Sequence, residues 1–296
     1  MGWYIHHVNL PATNVPRTRA FLRDVFGFRL GTWQYPATQG ELHHDDNSIA
    51  FFGSGNRGIH AVRPIATFAV DNGFIHNPTV GGHFALTVPD LAPITARFDA
   101  ADIPYSDAGI YAMAGIRQIY VYDPAMNVIE INQFHDESGG APPPGADEQH
   151  GVWMEEGADG GWYIHHVNIP AHDLEASVAF FRDLVGLEEG IWDYPDGAAA
   201  SSINKDGRSL ALFGTENRGI HIVKPDPAFA KRNGFKHNPT IGGHKAFSVE
   251  NISAIIDRLR KADIDFTDAG EYAMAGIHQV YVFDPSFDFI EINQVG

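Results

Sequence analysis

The chain reads GWYIHHVNLP at residues 2–11 and GWYIHHVNIP at residues 161–170. Each stretch alternates and stops at a proline, which is the pattern of a strand. Each also carries two adjacent histidines. The second occurrence shows that the chain repeats itself, and more matches lie on either side. FLRDVFGF at 21–28 answers FFRDLVGL at 180–187, and NRGIHAV at 56–62 answers NRGIHIV at 217–223. HNPTVGGHFA at 76–85 answers HNPTIGGHKA at 237–246, and YAMAGIRQIYVYDP at 111–124 answers YAMAGIHQVYVFDP at 272–285. NVIEINQ at 127–133 answers DFIEINQ at 288–294. The offset grows from 159 at His7/His166 to 161 at Glu130/Glu291, so the second copy carries a two-residue insertion, placed between Gln34 and Ile49. The chain is therefore a duplicated domain. Residues 1–134 and 161–296 are the two copies, and the acidic Gly/Pro-rich stretch 135–160 reads as their linker. Trp153 and Met154 are its candidate anchors.

Each copy contains a shorter pattern twice. Strand 3–10 precedes an amphipathic helix over 14–26, which Gly27 closes. In the second copy Leu174, Val178, Phe181 and Val185 share one helical face, with Asp173 as cap. Strands are expected near 28–35, 49–53 and 58–63. The pattern restarts with a strand near 82–88, a helix near 90–101, and strands near 103–107, 116–122 and 127–132. This makes four βαβββ modules, an α+β fold in which paired modules form a curved, cup-like mixed sheet with helices outside. Which modules pair stays open at this level: one with two, or one with four and two with three.

Composition narrows the function. The 296 residues are 44% hydrophobic and 19% charged, a globular balance. The net charge of -17 repels phosphate backbones and anionic lipid, so neither nucleic acid nor membrane is an expected partner. No apolar run approaches the ~18 residues of a membrane span, and the N-terminus lacks the pattern of a signal peptide. There is no cysteine, which suits a cytoplasmic protein and excludes thiolate ligands and nucleophiles. The 16 histidines are many for an acidic chain, and imidazole is the usual neutral nitrogen ligand.

Strand alternation sorts them. Val8 and Leu10 share one face of the first strand, with His7 and Asn9 on the other. Ile59 and Ala61 oppose His60. Phe84, Leu86 and Val88 oppose His83. Ile129 and Ile131 oppose Glu130 and Asn132. With the aliphatic faces under the helices, His7, His60, His83 and Glu130 face the cup. His166, His221, His244 and Glu291 do so in the second copy. His6 and His165 are expected on the helix side or in solvent. A lone histidine on a half-polar face is most simply a hydrogen-bonded residue. A glutamate amid aliphatic strand residues is different, because an unpaired buried carboxylate costs several kcal/mol, on the order of 3 or more. Three imidazoles and a carboxylate from four strands suit a divalent metal.

These modules, with HHVNLP, GGHFALTV and YVYDPAMNVIEIN, resemble the vicinal oxygen chelate superfamily of glyoxalases, epimerases, extradiol dioxygenases and bleomycin resistance proteins. The resemblance covers both copies and omits the linker. It implies metal ligands at His7, His60, His83 and Glu130, and at His166, His221, His244 and Glu291. Tyr120 and Tyr281 match the tyrosine that precedes the last turn in extradiol dioxygenases, which makes them candidate acids or hydrogen-bond donors. That turn usually reads DPxGN. Here it is DPAMN and DPSFD, with Met126 and Phe287 in place of glycine, so a different turn is expected.

The resemblance implies an enzyme acting on a small molecule. The first expectation is a Zn-, Ni-, Mn- or Co-dependent lyase or isomerase of the glyoxalase or epimerase kind. Such an enzyme chelates two vicinal oxygens and stabilises an enediolate, with Glu130 or Glu291 moving the proton. The second is an Fe(II) extradiol dioxygenase on His7, His83 and Glu130, the two-histidine, one-carboxylate set of oxygen chemistry. The third is a metal-free sequestering protein, which the retained ligands oppose. A homodimer is compatible with all three. His76 and His237 are expected to shape a loop, Tyr111 and Tyr272 to line one over the cup, and the NRG of each copy to form a turn. His43 and His44 have no counterparts and are expected at the surface.

Overall fold

Each half of the chain folds into one seven-stranded mixed sheet, and the two sheets have the same strand order. The structure, a computed structural model, describes residues 2–36, 48–110, 112–134, 154–195 and 208–296. His43, His44, Tyr111 and Trp153 lie outside them. In the first half, β1 (Tyr4–Pro11), β2 (Ile49–Ser54), β3 (Arg57–Val62), β4 (His83–Thr87), β5 (Tyr105–Ile110), β6 (Ile116–Tyr122) and β7 (Val128–Phe134) are ordered β2-β3-β1-β4-β7-β6-β5. In the second, β8 (Trp162–Pro170), β9 (Leu210–Phe213), β10 (Gly219–Val223), β11 (His244–Val249), β12 (Phe266–Glu271), β13 (Ile277–Phe283) and β14 (Phe289–Val295) are ordered β9-β10-β8-β11-β14-β13-β12. The antiparallel pairs β1–β4 and β8–β11 settle the module pairing within each sheet: one with two, three with four.

The expected strand near 28–35 contributes only isolated bridges, Phe28 to Gly157 and Leu30 to Phe52. At Gly31 the backbone passes so close to Gly53 O that no side chain fits. The chain then leaves the sheet edge and crosses the cup. Residues 154–160, at the end of the expected linker, are tied to both halves: Arg29 N donates to Glu156 O at 3.2 Å, Ala158 N to Gly27 O at 2.7 Å, and Glu155 N to Trp162 O at 2.7 Å.

One register detail departs from simple alternation. Ile5 pairs with Leu86 and His7 with Ala85, which leaves His6 as an extra residue in β1. His165 is the extra residue in β8, between Ile164 opposite Phe247 and His166 opposite Ala246. A bulge turns two consecutive side chains to one side and re-phases the strand before it. Trp3 and Ile5 therefore join Val8 and Leu10 in the core. His6 and His165 are not on the helix side or in solvent; both are buried beside their neighbouring histidines.

One helix per module covers the aliphatic sheet faces: α1 (Val15–Asp24), α2 (Ala92–Ala100), α3 (Leu174–Ala179) and α4 (Ile252–Lys261). Asp173 caps α3 as expected, accepting from Ala176 N at 3.0 Å. Here the partners cross between halves. Arg97 of α2 donates to Leu184 O at 2.6 Å, and Arg258 of α4 donates to Val25 O at 2.6 Å. Phe98 stacks on Phe180, and Trp162 stacks on Phe28 with centroids 4.3 Å apart. The modules thus pair one way through hydrogen-bonded strands and the other way through helices, and a single core runs through both halves.

The last turn keeps its shape without glycine. Met126 and Phe287 take φ of 66° and 67°, in the left-handed region. Asp123 Oδ1 accepts from the amides of Ala125 and Asn127 at 2.9 and 2.8 Å, and Asp284 Oδ1 does the same for Ser286 and Asp288. These carboxylates hold the loop while the side chain at its tip bears the strain, and both tips are exposed. Met126→Gly and Phe287→Gly are each expected to stabilise the chain, by up to ~1 kcal/mol, since relief of strain exceeds the added chain entropy. Urea unfolding of each variant checks this, and a loss of stability would show that the turn is not strained.

Candidate metal centre in each cup

The sheet register builds the site. His7 lies opposite Ala85, and Ala85 lies opposite Glu130 on the next strand. The alanine methyl between them leaves room for the two longer side chains to meet above it. His83 sits two positions along β4 from Ala85, on the same face, and reaches the same point. His7 Nε2 is 3.2 Å from His83 Nε2, and Glu130 Oε2 is 3.5 and 3.4 Å from the two. The second copy repeats this through Ala246, with His166 and His244 at 3.1 Å and Glu291 Oε2 at 3.6 and 3.3 Å. All six side chains are buried.

Proton accounting tests whether a cation fits. His83 Nδ1 lies 2.8 Å from Pro78 O, which can only accept, so the proton of a neutral His83 is on Nδ1 and its Nε2 presents a lone pair. Burial holds His7 below its ordinary pKa, with Glu130 opposing. Burial alone would raise Glu130, but protons on the facing His7 and His83 nitrogens, in the place a cation would take, hold its carboxyl well below the usual range. Asn132 Nδ2 donates to Glu130 Oε1 at 2.8 Å, while the buried Oε2 has no hydrogen-bond partner among the described residues. Two imidazole nitrogens and an orphaned carboxylate oxygen, all within 4.8 Å of one another, form a donor set for a divalent cation. In the second copy Asn293 Nδ2 holds Glu291 Oε1 at 2.8 Å, and Gln279 Nε2 also reaches Oε2 at 3.2 Å.

His60 and His221 line their cups but are not brought into the trio. His60 Nε2 donates to Asn56 O at 2.7 Å, and its ring stacks on His7 at 3.9 Å; His221 does the same with Asn217 O and His166. Burial, then His7, keeps His60 well below its ordinary pKa, and burial takes His221 down to about 3. The NRG segment, expected to be a turn, also positions this histidine. Asn56 sits at φ 60°, and its side chain clamps both Gln34 N and Gln34 O at 2.7 Å.

Tyr120 lies opposite Glu130 in the register, and its ring is edge-on to His83 at 5.8 Å. Gln118 Nε2 donates to its hydroxyl at 3.1 Å. Tyr281 is placed the same way beside His244 and Glu291, with Gln279 donating at 2.9 Å. Burial, then Glu291, pushes the Tyr281 phenol well above its ordinary pKa, so it stays protonated. The opposite wall comes from residues that the alternation pattern does not single out. Trp33 stacks edge-on against His60 at 4.5 Å and donates to Ala112 O at 2.9 Å, and Trp192 does the same with His221 and Ala273 O. Tyr272 lines the second cup as expected, whereas His76 is buried on Ser106 at 2.9 Å and His237 on Thr267 at 2.8 Å, away from the trios. Each remaining cavity is about 50 Å³.

Residues 4–131 and 163–288 match the Glyoxalase/Bleomycin resistance protein/Dioxygenase superfamily, one match per half. The chain belongs to that superfamily. An ethylmalonyl-CoA/methylmalonyl-CoA epimerase of Cereibacter sphaeroides is 29% identical over 139 residues, covering 45% of this chain and 97% of the epimerase. Among solved structures, the 2,3-dioxygenase LapB from Pseudomonas sp. KL28 is 16% identical with a TM-score of 0.61, covering 99% of this chain and 92% of that one. The Mn(II)-bound glyoxalase from Novosphingobium aromaticivorans is 15% identical with a TM-score of 0.57, covering 98% and 81%. Such superfamily relatives are enzymes of several reaction types that share this fold. Among the described residues no helix is long and apolar enough to cross a membrane.

Proposed function

We propose that each cup binds a divalent metal on its two histidines and one glutamate, and that the enzyme cleaves the ring of a small aromatic vicinal diol with ferrous iron. The carrying observation is the position of His60 and His221. Each stays outside the group of converging ligand atoms, which leaves a two-histidine, one-carboxylate set. When bound, the metal would supply Lewis acidity for the two substrate oxygens and open positions for dioxygen. The chain's own groups do the rest. Trp33, Phe68 and Met113 give an apolar wall suited to a flat ring and exclude water. His60, with its proton on Nε2, has Nδ1 as a proton acceptor for a diol hydroxyl. The Tyr120 hydroxyl, which receives a bond from Gln118, is the candidate acid.

A second reading, a glyoxalase- or epimerase-type lyase or isomerase using Zn, Ni, Mn or Co, is favoured by the epimerase identity. In it Glu130 or Glu291 moves the substrate proton. Metal analysis of anaerobically purified protein separates the two. Iron at up to two per chain, with oxygen uptake on adding a catechol, is the expected result. Zinc, nickel or manganese with oxygen-independent turnover, or exchange of a substrate C–H in deuterated water, would replace the first reading with the second.

A further inference from the structure

We propose that His6 and His165 are positioning residues, each accepting the Nδ1 proton of the adjacent histidine so that the neighbour's Nε2 lone pair faces the trio. The inference rests on the reading that the trio holds a metal. His83 and His244 have their protons placed by backbone carbonyls, those of Pro78 and Pro239. His7 and His166 instead face a ring. The hydrogen-bond partner of His7 Nδ1 is His6 Nδ1 at 2.9 Å, and that of His166 Nδ1 is His165 Nδ1, also at 2.9 Å. Both arrangements exist because the strand bulges at that residue, which brings two consecutive rings to one side, nearly perpendicular at 82° and 80°.

Two nitrogens at that distance share one proton. If it lies on His6, then His7 carries its own proton on Nε2, aimed at His83 and Glu130 where a cation belongs. If it lies on His7, Nε2 is a lone pair and the donor set is complete. Metal loading therefore selects the second tautomer, and the acceptor on the bulged residue makes it available. His6 then holds its proton on Nε2, a buried atom with no hydrogen-bond partner among the described residues. A side chain behind a ligand that orients it and fixes its tautomer typically changes metal affinity about 10- to 100-fold.

The test uses Zn(II) with the full chain and two variants of nearly equal shape, His6→Leu and His6→Asn. Asparagine Oδ1 can take the place of the ring Nδ1 as an acceptor, and leucine cannot. In the Zn-loaded parent, ¹⁵N-histidine spectra are expected to show hydrogen-bonded Nδ1–H signals from His7 and His166. His6→Leu is expected to lose the His7 signal and to weaken one of two Zn sites by about 10- to 100-fold, while His6→Asn restores both. Equal Zn affinity in parent and both variants, with only the melting temperature of the metal-free protein changed, would overturn the inference and leave the metal site standing. No Zn binding by the parent would overturn the metal reading and this inference with it.

Discussion

Glu130→Gln is expected to remove one of two bound divalent ions per chain and about half of the turnover, if both cups work. The double variant Glu130→Gln/Glu291→Gln is expected to bind none and to lose turnover by on the order of 10³-fold, since the metal contributes several kcal/mol to the transition state. The amide keeps the size and the bond from Asn132 or Asn293 but removes the only anion in each trio. A neutral donor set of two imidazoles and an amide holds a divalent ion poorly. Metal content by mass spectrometry, beside circular dichroism of each variant, reads the result. Two ions still bound to the double variant would mean that the trios are not the metal sites. Loss of both ions from Glu130→Gln alone would mean that the cups are coupled through the shared core.

Asp288→Asn is expected to stabilise the chain by roughly 2–4 kcal/mol at about pH 8 and by little at about pH 4, at 1.36 kcal/mol per pKa unit. The first copy shows why. Asn127, the counterpart of Asp288, donates through Nδ2 to Asp123 Oδ2 at 2.9 Å. An ionised Asp288 cannot donate to Asp284, and its buried Oδ2 has no hydrogen-bond partner among the described residues. Burial raises its carboxyl to about 7; Lys245 opposes this and Asp284 adds to it. The folded state therefore keeps a proton that the unfolded chain has already released. Stability falls as pH rises from the unfolded value of 3.8 through about 7, and it stays low above. Asparagine removes that loss. Urea unfolding at both pH values measures it. An equal gain at both, or a loss at the higher one, would rule out a buried Asp288 charge as the source of the instability.

The duplication, the α+β modules and the two-faced strands follow from local periodicity, so they could be read directly. Strand parity placed His7, His83 and Glu130 in one cup because alternation is a property of the backbone and needs no partner strand. Three features could not be read that way. The bulges at His6 and His165 are a mismatch between neighbouring strands, invisible in either strand alone. His60 shares the right face but stays outside the trio, with its Nε2 bonded to Asn56 O, a backbone atom four residues away in a left-handed turn. The doubled NRG was the available signal for it. Trp33 left the sheet edge at Gly31, where an expected strand does not form, and came to rest over the cup.

The amino-acid order was thus sufficient for the repeat, the element types and the side of each strand that carries polar groups, because these depend on interactions between near neighbours in the chain. It was insufficient for the number of nitrogens that converge, the rings that stand behind them and the pairing of modules across the helices. Those depend on strand register and on contacts between residues as distant as Val25 and Arg258, which exist only once the two sheets have packed around one core.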